Sequence, residues 1–267
     1  NPAVMKNTIT KLVNIAGIVI FVKSKDDLGI YFGLLSITTL IANVSMYPQL
    51  KKYIHRPQFE IRRLINHIRG SFVLFLPQVA SLFYLQVDKV MLKWLTGAVN
   101  QVSFYEQAEK IVTIPLSLIT VVSTVMMPRL ANEYKKKNYS TIRELLLKAG
   151  RYTLCMAMPM SFGIACIAQK FVPWYLGTEF YPTAVAMIIL SPIVLLNSLS
   201  GISGKQYFTA TNQISILMKA YSSAAIMNVI VNALLIPYLG FKGAAIATVL
   251  SSLASVIVQY INLGRQV

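Results

Sequence analysis

One face of a predicted helix carries a row of polar side chains through an otherwise apolar stretch. The members of the row are spaced four, three, four, three and four residues apart, so all lie on one side of an α-helix. They are Glu106, Lys110, Thr113, Ser117, Thr120 and Thr124. Glu106 and Lys110 can form an ion pair one turn apart. Two interpretations remain open: the row lines a polar cavity, or its hydroxyls let neighbouring helices pack closely.

A second polar stripe lies on the preceding apolar stretch and ends in a carboxylate. Its members are Gln78, Ser81, Leu85 and Asp88, with Lys89 and Lys93 following in the chain. A single carboxylate near hydrocarbon is costly unless it is paired, so we expect Asp88 to pair with Lys89, Lys93 or Lys110. An ion pair that locks two helix ends and direct contact with a substrate are both compatible with this pattern.

Further polar residues stand inside the later apolar stretches. A third stripe near the end of the chain comprises Thr248, Ser252, Ser255, Gln259 and Asn262. Lys205 and Asn228 are isolated, and a packing hydrogen bond is the commonest role of such residues. The candidates for lining a substrate cavity are Gln78, Asp88, Lys89, Glu106, Lys110, Thr113, Ser117, Lys205 and Asn228.

The sequence contains no pattern of a catalytic or metal centre. His55 and His67 do not have the spacing of metal ligands. No phosphate-binding loop, HExxH sequence or nucleophile elbow occurs. The longest segments outside the apolar stretches, 51–69 and 129–151, are too short for a catalytic domain. We therefore expect no catalytic residue, metal site, cofactor or enzymatic activity.

The stripes require elements that cross a membrane. Hydrophobic residues make up 55% of the chain and charged residues 13%, and the mean hydropathy is +0.59. A soluble domain carries about 25% charged residues. Stretches near the spanning length of about 20 residues are 12–22, 28–50, 70–87, 111–128, 152–169, 180–204, 220–241 and 243–264, of which the first is short. The pattern predicts an all-α, polytopic membrane protein of about eight helices.

The placement of basic residues predicts the topology of these helices. If the first helix begins in the cytoplasm, strict alternation places eighteen of the 25 Lys and Arg residues on the inner side. Basic loops stay cytoplasmic, so both ends of the chain are expected there. The net charge of +16 lies in short gaps between apolar stretches. A nucleic-acid-binding domain would cluster this charge on one soluble face, so no nucleic acid partner is expected.

Four segments in order carry a resemblance to a known family. Residues 87–95 read VDKVMLKWL, 102–111 VSFYEQAEKI, 127–131 MPRLA and 238–248 YLGFKGAAIAT. The series resembles the polysaccharide repeat-unit flippases, of the O-antigen, capsule or teichuronic type, within the multidrug/oligosaccharidyl-lipid/polysaccharide exporter superfamily. This resemblance implies a fold of 12 to 14 helices in two six-helix lobes around a cavity. By this resemblance, Asp88 and Lys89 match the acidic–basic pair that follows the family's seventh helix, and Lys110 matches the lysine that opens its eighth.

The resemblance also implies domains, partners and location. Residues 1–56 would be the last two helices of an incomplete N-terminal lobe, and 57–267 the six-helix C-terminal lobe. The chain opens with Asn1, and we expect a fragment of a longer protein. The implied location is the bacterial cytoplasmic membrane. The implied partners are the lipid bilayer, undecaprenyl-diphosphate-linked oligosaccharide, a polysaccharide polymerase and glycosyltransferases.

The function that follows is flipping of lipid-linked oligosaccharide repeat units by alternating access. A polar groove would replace the hydrogen bonds that sugar hydroxyls lose in hydrocarbon, at about 4–8 kcal/mol per group on an alkane scale. A drug or cation antiporter of the same superfamily is one alternative, although its carboxylates deep in the membrane are nearly absent here. A transport-inactive membrane scaffold with basic inner loops is the other.

Overall fold

The computed structural model describes residues 2–24, 27–51, 68, 71–72, 75, 79 and 86–266. These residues are helical apart from short turns and contain no β-strand. The chain divides into two compact units, Asn1–Leu64 and Ile65–Val267.

The first unit is a helical hairpin. Helix α1 (Pro2–Phe21) packs against α2 (Leu28–Lys51). Gly17 lies at this contact, where a Cβ would be in van der Waals contact with Cδ2 of Leu34 at 3.4 Å. In the connecting turn the Asp27 carboxylate accepts the backbone N–H groups of Lys23 and Ser24. These hydrogen bonds lower the pKa of Asp27 and fix the turn.

The second unit contains the remaining described helices. In order they are α3 (residues 86–96), α4 (Val99–Lys135), α5 (Tyr139–Leu176), the 3₁₀ turn Thr178–Phe180, α6 (Tyr181–Leu190), α7 (Pro192–Ser200), a π-helical segment (Gly201–Phe208), α8 (Ile214–Leu239) and α9 (Phe241–Gly264). Gly177 and Gly240 take positive φ, 96° and 56°, at two of the sharp connections. Asn138 caps α5 by accepting the N–H of Thr141.

Several of these helices match the length and composition of membrane spans. Within the described residues, α5, α8 and α9 are each long and apolar enough to cross a bilayer. Two bent pairs raise the number of candidate spans to five: α4 bends by 44° between Val121 and Thr124, and a 45° bend separates α6 from α7. The apolar helices of the first unit are shorter. The predicted stretch 70–87 lies largely outside the described residues.

The predicted all-α membrane fold is confirmed, with one local difference. The stretch 180–204 was expected to form one continuous helix, but it breaks at Ser191–Pro192 and continues as the π-helical segment. Proline lacks the N–H that would continue the helical ladder, so a break before Pro192 has a simple cause. The bundle also exposes large apolar side chains, such as Leu118, Val125 and Phe162 at 62%, 70% and 70%. A surface of this kind is typical of contact with lipid or with further protein.

Two apolar cores hold the second unit together. One is built around Leu92, Tyr105 and Met187 and joins all seven helices from α3 to α9. The other contains Leu130, Ile142 and Phe208, near the ends of α4 and α5 that are predicted to be cytoplasmic. The polar groups described next lie inside this scaffold.

Candidate functional site

Asp88 is a fully buried carboxylate on α3, with 0% exposure. The side-chain amides of Asn228 and Asn232 donate to Oδ1 at 2.7 and 2.6 Å. The hydroxyls of Tyr105 and Thr248 donate to Oδ2, both at 2.9 Å. Asp88 therefore joins four helices through hydrogen bonds, since its partners lie on α4, α8 and α9.

The partners reach Asp88 because α8 and α9 form a tight hairpin. Asn228 and Asn232 are one turn apart on α8, and Nδ2 of Asn232 also donates to Oδ1 of Asn228 at 3.0 Å. The hairpin turns at Gly240. Three residues later, Gly243 lies against the backbone of α8. A Cβ at Gly243 would lie 2.6 Å from the carbonyl oxygen of Leu235. The absence of a side chain there lets Thr248 approach from the facing helix.

The expected pairing of Asp88 with a lysine is wrong. Lys89 pairs instead with Glu109 at 2.9 Å, and Lys110 pairs with Glu106 at 3.0 Å. In the described part of the chain, all the hydrogen bonds that Asp88 receives come from neutral groups. The fold supplies these neutral donors because distant helices converge on α3, which local charge spacing does not indicate.

Burying a charged carboxylate among neutral groups costs free energy. Such a charge is stabilised by hydrogen bonds from neutral donors, or it is neutralised by a proton or by a bound cation. The oxygens nearby are those of Asp88, Tyr105, Thr248 and Asn232, and Oδ1 of Asn232 has no hydrogen-bond partner. Oxygen ligands suit small hard cations. The described residues contain no cluster of three or more His, Cys, Asp or Glu side chains that could hold a metal.

A small cavity adjoins this network. It has a volume of about 30 Å³ and is lined by Glu109, Thr113, Asn197 and Thr248 among others. A cavity of this size has room for one water molecule. Because Thr248 bonds Asp88 and Glu109 pairs with Lys89, the cavity lies between the buried carboxylate and the nearby ion pair.

The polar face of α4 is present as predicted. Lys110, Ser117 and Thr124 are exposed, and Glu106, Thr113 and Thr120 are partly exposed. The four hydroxyls donate to carbonyls of their own helix, for example Thr113 to Glu109 at 2.8 Å. This pattern is a poor match to helix packing through hydrogen bonds between helices. The role of the face in lining a substrate cavity stays a prediction.

The remaining candidates are placed as follows. Asn228 joins Asp88 in the network, and Lys89 lies beside it in the pair with Glu109. Lys205 belongs to the π-helical segment. Gln78 lies outside the described residues. The sequence interpretation missed Tyr105 and Glu109, and the i, i+4 spacing of Asn228 and Asn232 on an apolar helix was the one available signal for the network.

A second buried polar cluster surrounds Gln259 on α9. Its Oε1 accepts from Ser203 at 2.7 Å, and its Nε2 donates to Ser200 and Ser255 at 2.9 and 3.0 Å. These bonds tie α9 to the junction of α7 with the π-helical segment. The predicted polar stripe of α9 therefore faces the interior of the bundle, with Thr248 and Gln259 in separate clusters.

A bundle of apolar helices of spanning length, with a carboxylate buried among four of them, identifies the chain as a polytopic α-helical membrane protein. Two solved structures are similar to the chain over 98% of its length, each with 18% identity. One is "Lipid II flippase MurJ, inward closed conformation", with a TM-score of 0.77 and 56% of that chain covered. The other is an outward-facing multidrug resistance MATE family transporter of the MOP superfamily, with a TM-score of 0.65 and 61% covered.

The model of the family "Lipid II flippase MurJ" matches residues 6–267, and the chain belongs to that family. Among curated proteins it is 26% identical over 200 residues to "Probable low-salt glycan biosynthesis flippase Agl15" of Haloferax volcanii. It is 24% identical over 160 residues to "Lipid II flippase MurJ" of Bacillus subtilis strain 168. The aligned parts cover 74% and 59% of this chain but only 41% and 29% of those relatives.

The comparisons confirm the superfamily and refine the family within it. The family is one of transporters, in agreement with the expectation that the chain is not an enzyme. The family name describes a flippase of a lipid-linked molecule, and this agrees with the general class of function predicted from the sequence. The chain spans about half the length of the relatives that it matches, or less.

Proposed function

We propose that the protein flips a polyprenyl-diphosphate-linked glycan from the inner to the outer leaflet by alternating access. The observation that carries this proposal is the Asp88 network, a buried charge site that links α3 and α4 to the α8–α9 hairpin. Neutralising or exposing that carboxylate changes the preferred packing of all four helices. Such a bistable element is what an alternating transporter requires.

The polar face of α4 provides the path for the glycan. Its hydroxyl and charged groups can replace the hydrogen bonds that sugar hydroxyls make with water, while the polyprenyl tail stays in the bilayer. Lys110 lies on this face at 60% exposure and attracts the diphosphate. Lys89 is less exposed, at 22%. Each lysine is paired with a glutamate in this conformation, so phosphate binding exchanges one anionic partner for another.

The glycan that the lipid carries is an oligosaccharide repeat unit, as the sequence resemblance implies. Lipid II is the second candidate, and the family name and the Bacillus relative favour it. Both substrates share a polyprenyl diphosphate and differ in the attached glycan. The site on α4 recognises what they share, since hydroxyls and lysines distinguish a diphosphate-linked sugar from a phospholipid but do not select one sugar.

The cellular setting belongs to the same proposal. The protein crosses the bacterial cytoplasmic membrane several times, with both ends of the chain in the cytoplasm. Glycosyltransferases supply the lipid-linked glycan on the inner face, and a polysaccharide polymerase consumes it on the outer face. These enzymes are the expected partners of the full protein.

Depletion of the protein in its own cells tests the proposal against its rivals. The leaflet that holds the lipid-linked glycan is measured by its accessibility to a membrane-impermeant glycosidase in vesicles of each orientation. Accumulation of the glycan in the inner leaflet supports the flippase. The glycan that accumulates identifies the repeat unit or lipid II. Unchanged glycan with altered drug tolerance supports the antiporter, to which the MATE likeness in fold corresponds. If neither effect is observed, the transport-inactive scaffold is supported.

A further inference from the structure

A groove with no function in the transport proposal lies between α5 and α9. Its volume is about 390 Å³, and Leu147, Leu154, Leu199, Ile202 and Leu263 form much of its wall. Tyr260 completes the wall, with its hydroxyl donating to the carbonyl of Leu199 at 3.3 Å. We call it the α5–α9 groove. Its lining is almost wholly apolar, so its occupant must present hydrocarbon.

Two arginines of α5 are the charged residues that line the groove. Arg143 and Arg151 are eight residues apart, which is about 12 Å along a helix. Both are exposed, and the residues that line the groove include no Asp or Glu. Two guanidinium groups without a lining carboxylate favour an anionic ligand, and Arg is well suited to bind phosphate.

The groove crosses the predicted boundary between hydrocarbon and water. α5 has 38 residues, more than the roughly 20 that span a membrane. Its uncharged stretch begins immediately after Arg151, so Leu154 lies on the hydrocarbon side and Arg143 on the headgroup side. α9 ends at Gly264, next to Arg265, and Tyr260 occupies the interfacial position that tyrosine favours. An apolar slot with cationic groups at its polar end matches the shape of a phospholipid.

We propose that the α5–α9 groove binds an anionic phospholipid of the cytoplasmic leaflet. An acyl chain lies along Leu154, Leu199 and Tyr260, and the phosphate lies between Arg143 and Arg151. Two glycines provide room, because a Cβ at Gly150 or Gly264 would meet nothing within 4 Å. Anionic lipids are concentrated in that leaflet and are attracted by basic residues at its surface. The lipid thereby holds the inner ends of α5 and α9 together.

Native mass spectrometry of the intact protein released from detergent tests this proposal. The probes are dioleoylphosphatidylglycerol, dioleoylphosphatidylcholine and glycerol 3-phosphate. We expect retention of phosphatidylglycerol in preference to phosphatidylcholine, and no retention of glycerol phosphate, because binding needs both the charge and the chain. The double variant Arg143→Gln/Arg151→Gln should weaken phosphatidylglycerol binding about 10- to 30-fold and leave phosphatidylcholine unchanged.

Matched variants on the same helix separate the groove from a general charge effect. Lys148 is exposed on α5 but does not line the groove, so Lys148→Gln should change phosphatidylglycerol binding less than about threefold. Gly150→Leu fills the groove and should weaken binding of both lipids. Gly163→Leu, at an equally open position outside the groove, should not.

Several results would overturn the proposal. One is equal binding of phosphatidylglycerol by the double arginine variant and by the parent protein. Another is an equal loss in Lys148→Gln, which would indicate non-specific attraction. A dimer that Gly150→Leu converts to monomer would assign the groove to a second copy of the chain. Displacement of phosphatidylglycerol by polyprenyl diphosphate at lower concentration would assign it to the transported lipid.

Discussion

Asn232 donates its side-chain amide to Oδ1 of Asp88 at 2.6 Å across 144 residues of sequence. Asn228 donates to the same oxygen and accepts from Asn232, so the three side chains form a closed triangle. All three are fully buried. Since a buried carboxylate depends on its hydrogen bonds for solvation, these two amides and the two hydroxyls on Oδ2 determine whether α3 can stay against α8 and α9.

The Asp88 carboxylate should be needed for transport more than for folding. Asp88→Asn keeps the side-chain volume and one acceptor oxygen for Asn228 and Asn232, and its NH2 group can donate to the hydroxyls of Tyr105 and Thr248. The charge is removed, so we expect a folded protein that has lost transport. Asp88→Ala leaves four buried polar groups without their acceptor and should lower the free energy of unfolding by about 2–3 kcal/mol. Thermal unfolding in detergent and a vesicle flipping assay measure the two effects.

Asp27→Asn is the matched control for the loss of a carboxylate. Asp27 lies in the turn between α1 and α2, where its carboxylate accepts the backbone N–H groups of Lys23 and Ser24. Its substitution should leave transport unchanged. Full transport by Asp88→Asn would refute the role of the buried charge.

Moving the carboxylate to another position in the network should restore part of the free energy of unfolding that is lost when it is removed. In Asp88→Asn/Asn232→Asp the acid and the amide exchange positions, and the contact between them is preserved. We expect a coupling free energy of about 1–2 kcal/mol between the two sites in a double-mutant cycle of unfolding. Strictly additive effects of the two substitutions would mean that the 2.6 Å contact contributes little.

The helices and the polar face of α4 could be predicted because both follow from short-range rules. A bilayer imposes a minimum length on each apolar stretch, and a 3.6-residue period places Glu106 and Lys110 on one face. The pair indeed forms at 3.0 Å. The break before Pro192 was missed because membrane helices tolerate proline in most positions, and the sequence does not indicate which proline ends a helix.

The partners of Asp88 could not be predicted by the same rules. Charge pairing favoured lysines near Asp88 in the sequence, but Lys89 turns to Glu109 on α4. The true partners, Tyr105, Asn228, Asn232 and Thr248, are brought together by the fold of α4, α8 and α9. Long-range packing determines which polar groups share an interior, and the spacing of residues along the chain does not reveal it.

The close contact of α8 with α9 should depend on Gly243. A Cβ there would lie 2.6 to 2.9 Å from backbone atoms of Leu235 and Ile236, which cannot move aside as a side chain can. Gly243→Ala should therefore separate the helices, lower the free energy of unfolding by about 1–3 kcal/mol and weaken the Asp88 network. Thermal unfolding measures the loss.

Gly163→Ala provides the comparison for that substitution. A Cβ at Gly163 meets nothing within 4 Å, and alanine favours a helix over glycine by about 1 kcal/mol. This variant should be as stable as the parent or more so. Equal stability of both glycine variants would show that the hairpin can relax without cost.

Lys110 should serve substrate binding and contribute little to stability. Its ion pair with Glu106 is exposed, at 60% and 38%, and such pairs contribute about 0–1 kcal/mol. Lys110→Gln should therefore leave the unfolding midpoint nearly unchanged but reduce transport about tenfold, if the diphosphate loses about 1.4 kcal/mol of attraction.

Lys136→Gln breaks a similar pair, with Glu133 at 3.1 Å, beyond the other end of α4. Transport should survive that change, because Lys136 lies off the polar face. A fall in transport that is equal in the two variants, or one that tracks a loss of stability in Lys110→Gln, would mean that the α4 face does not attract the diphosphate through this lysine.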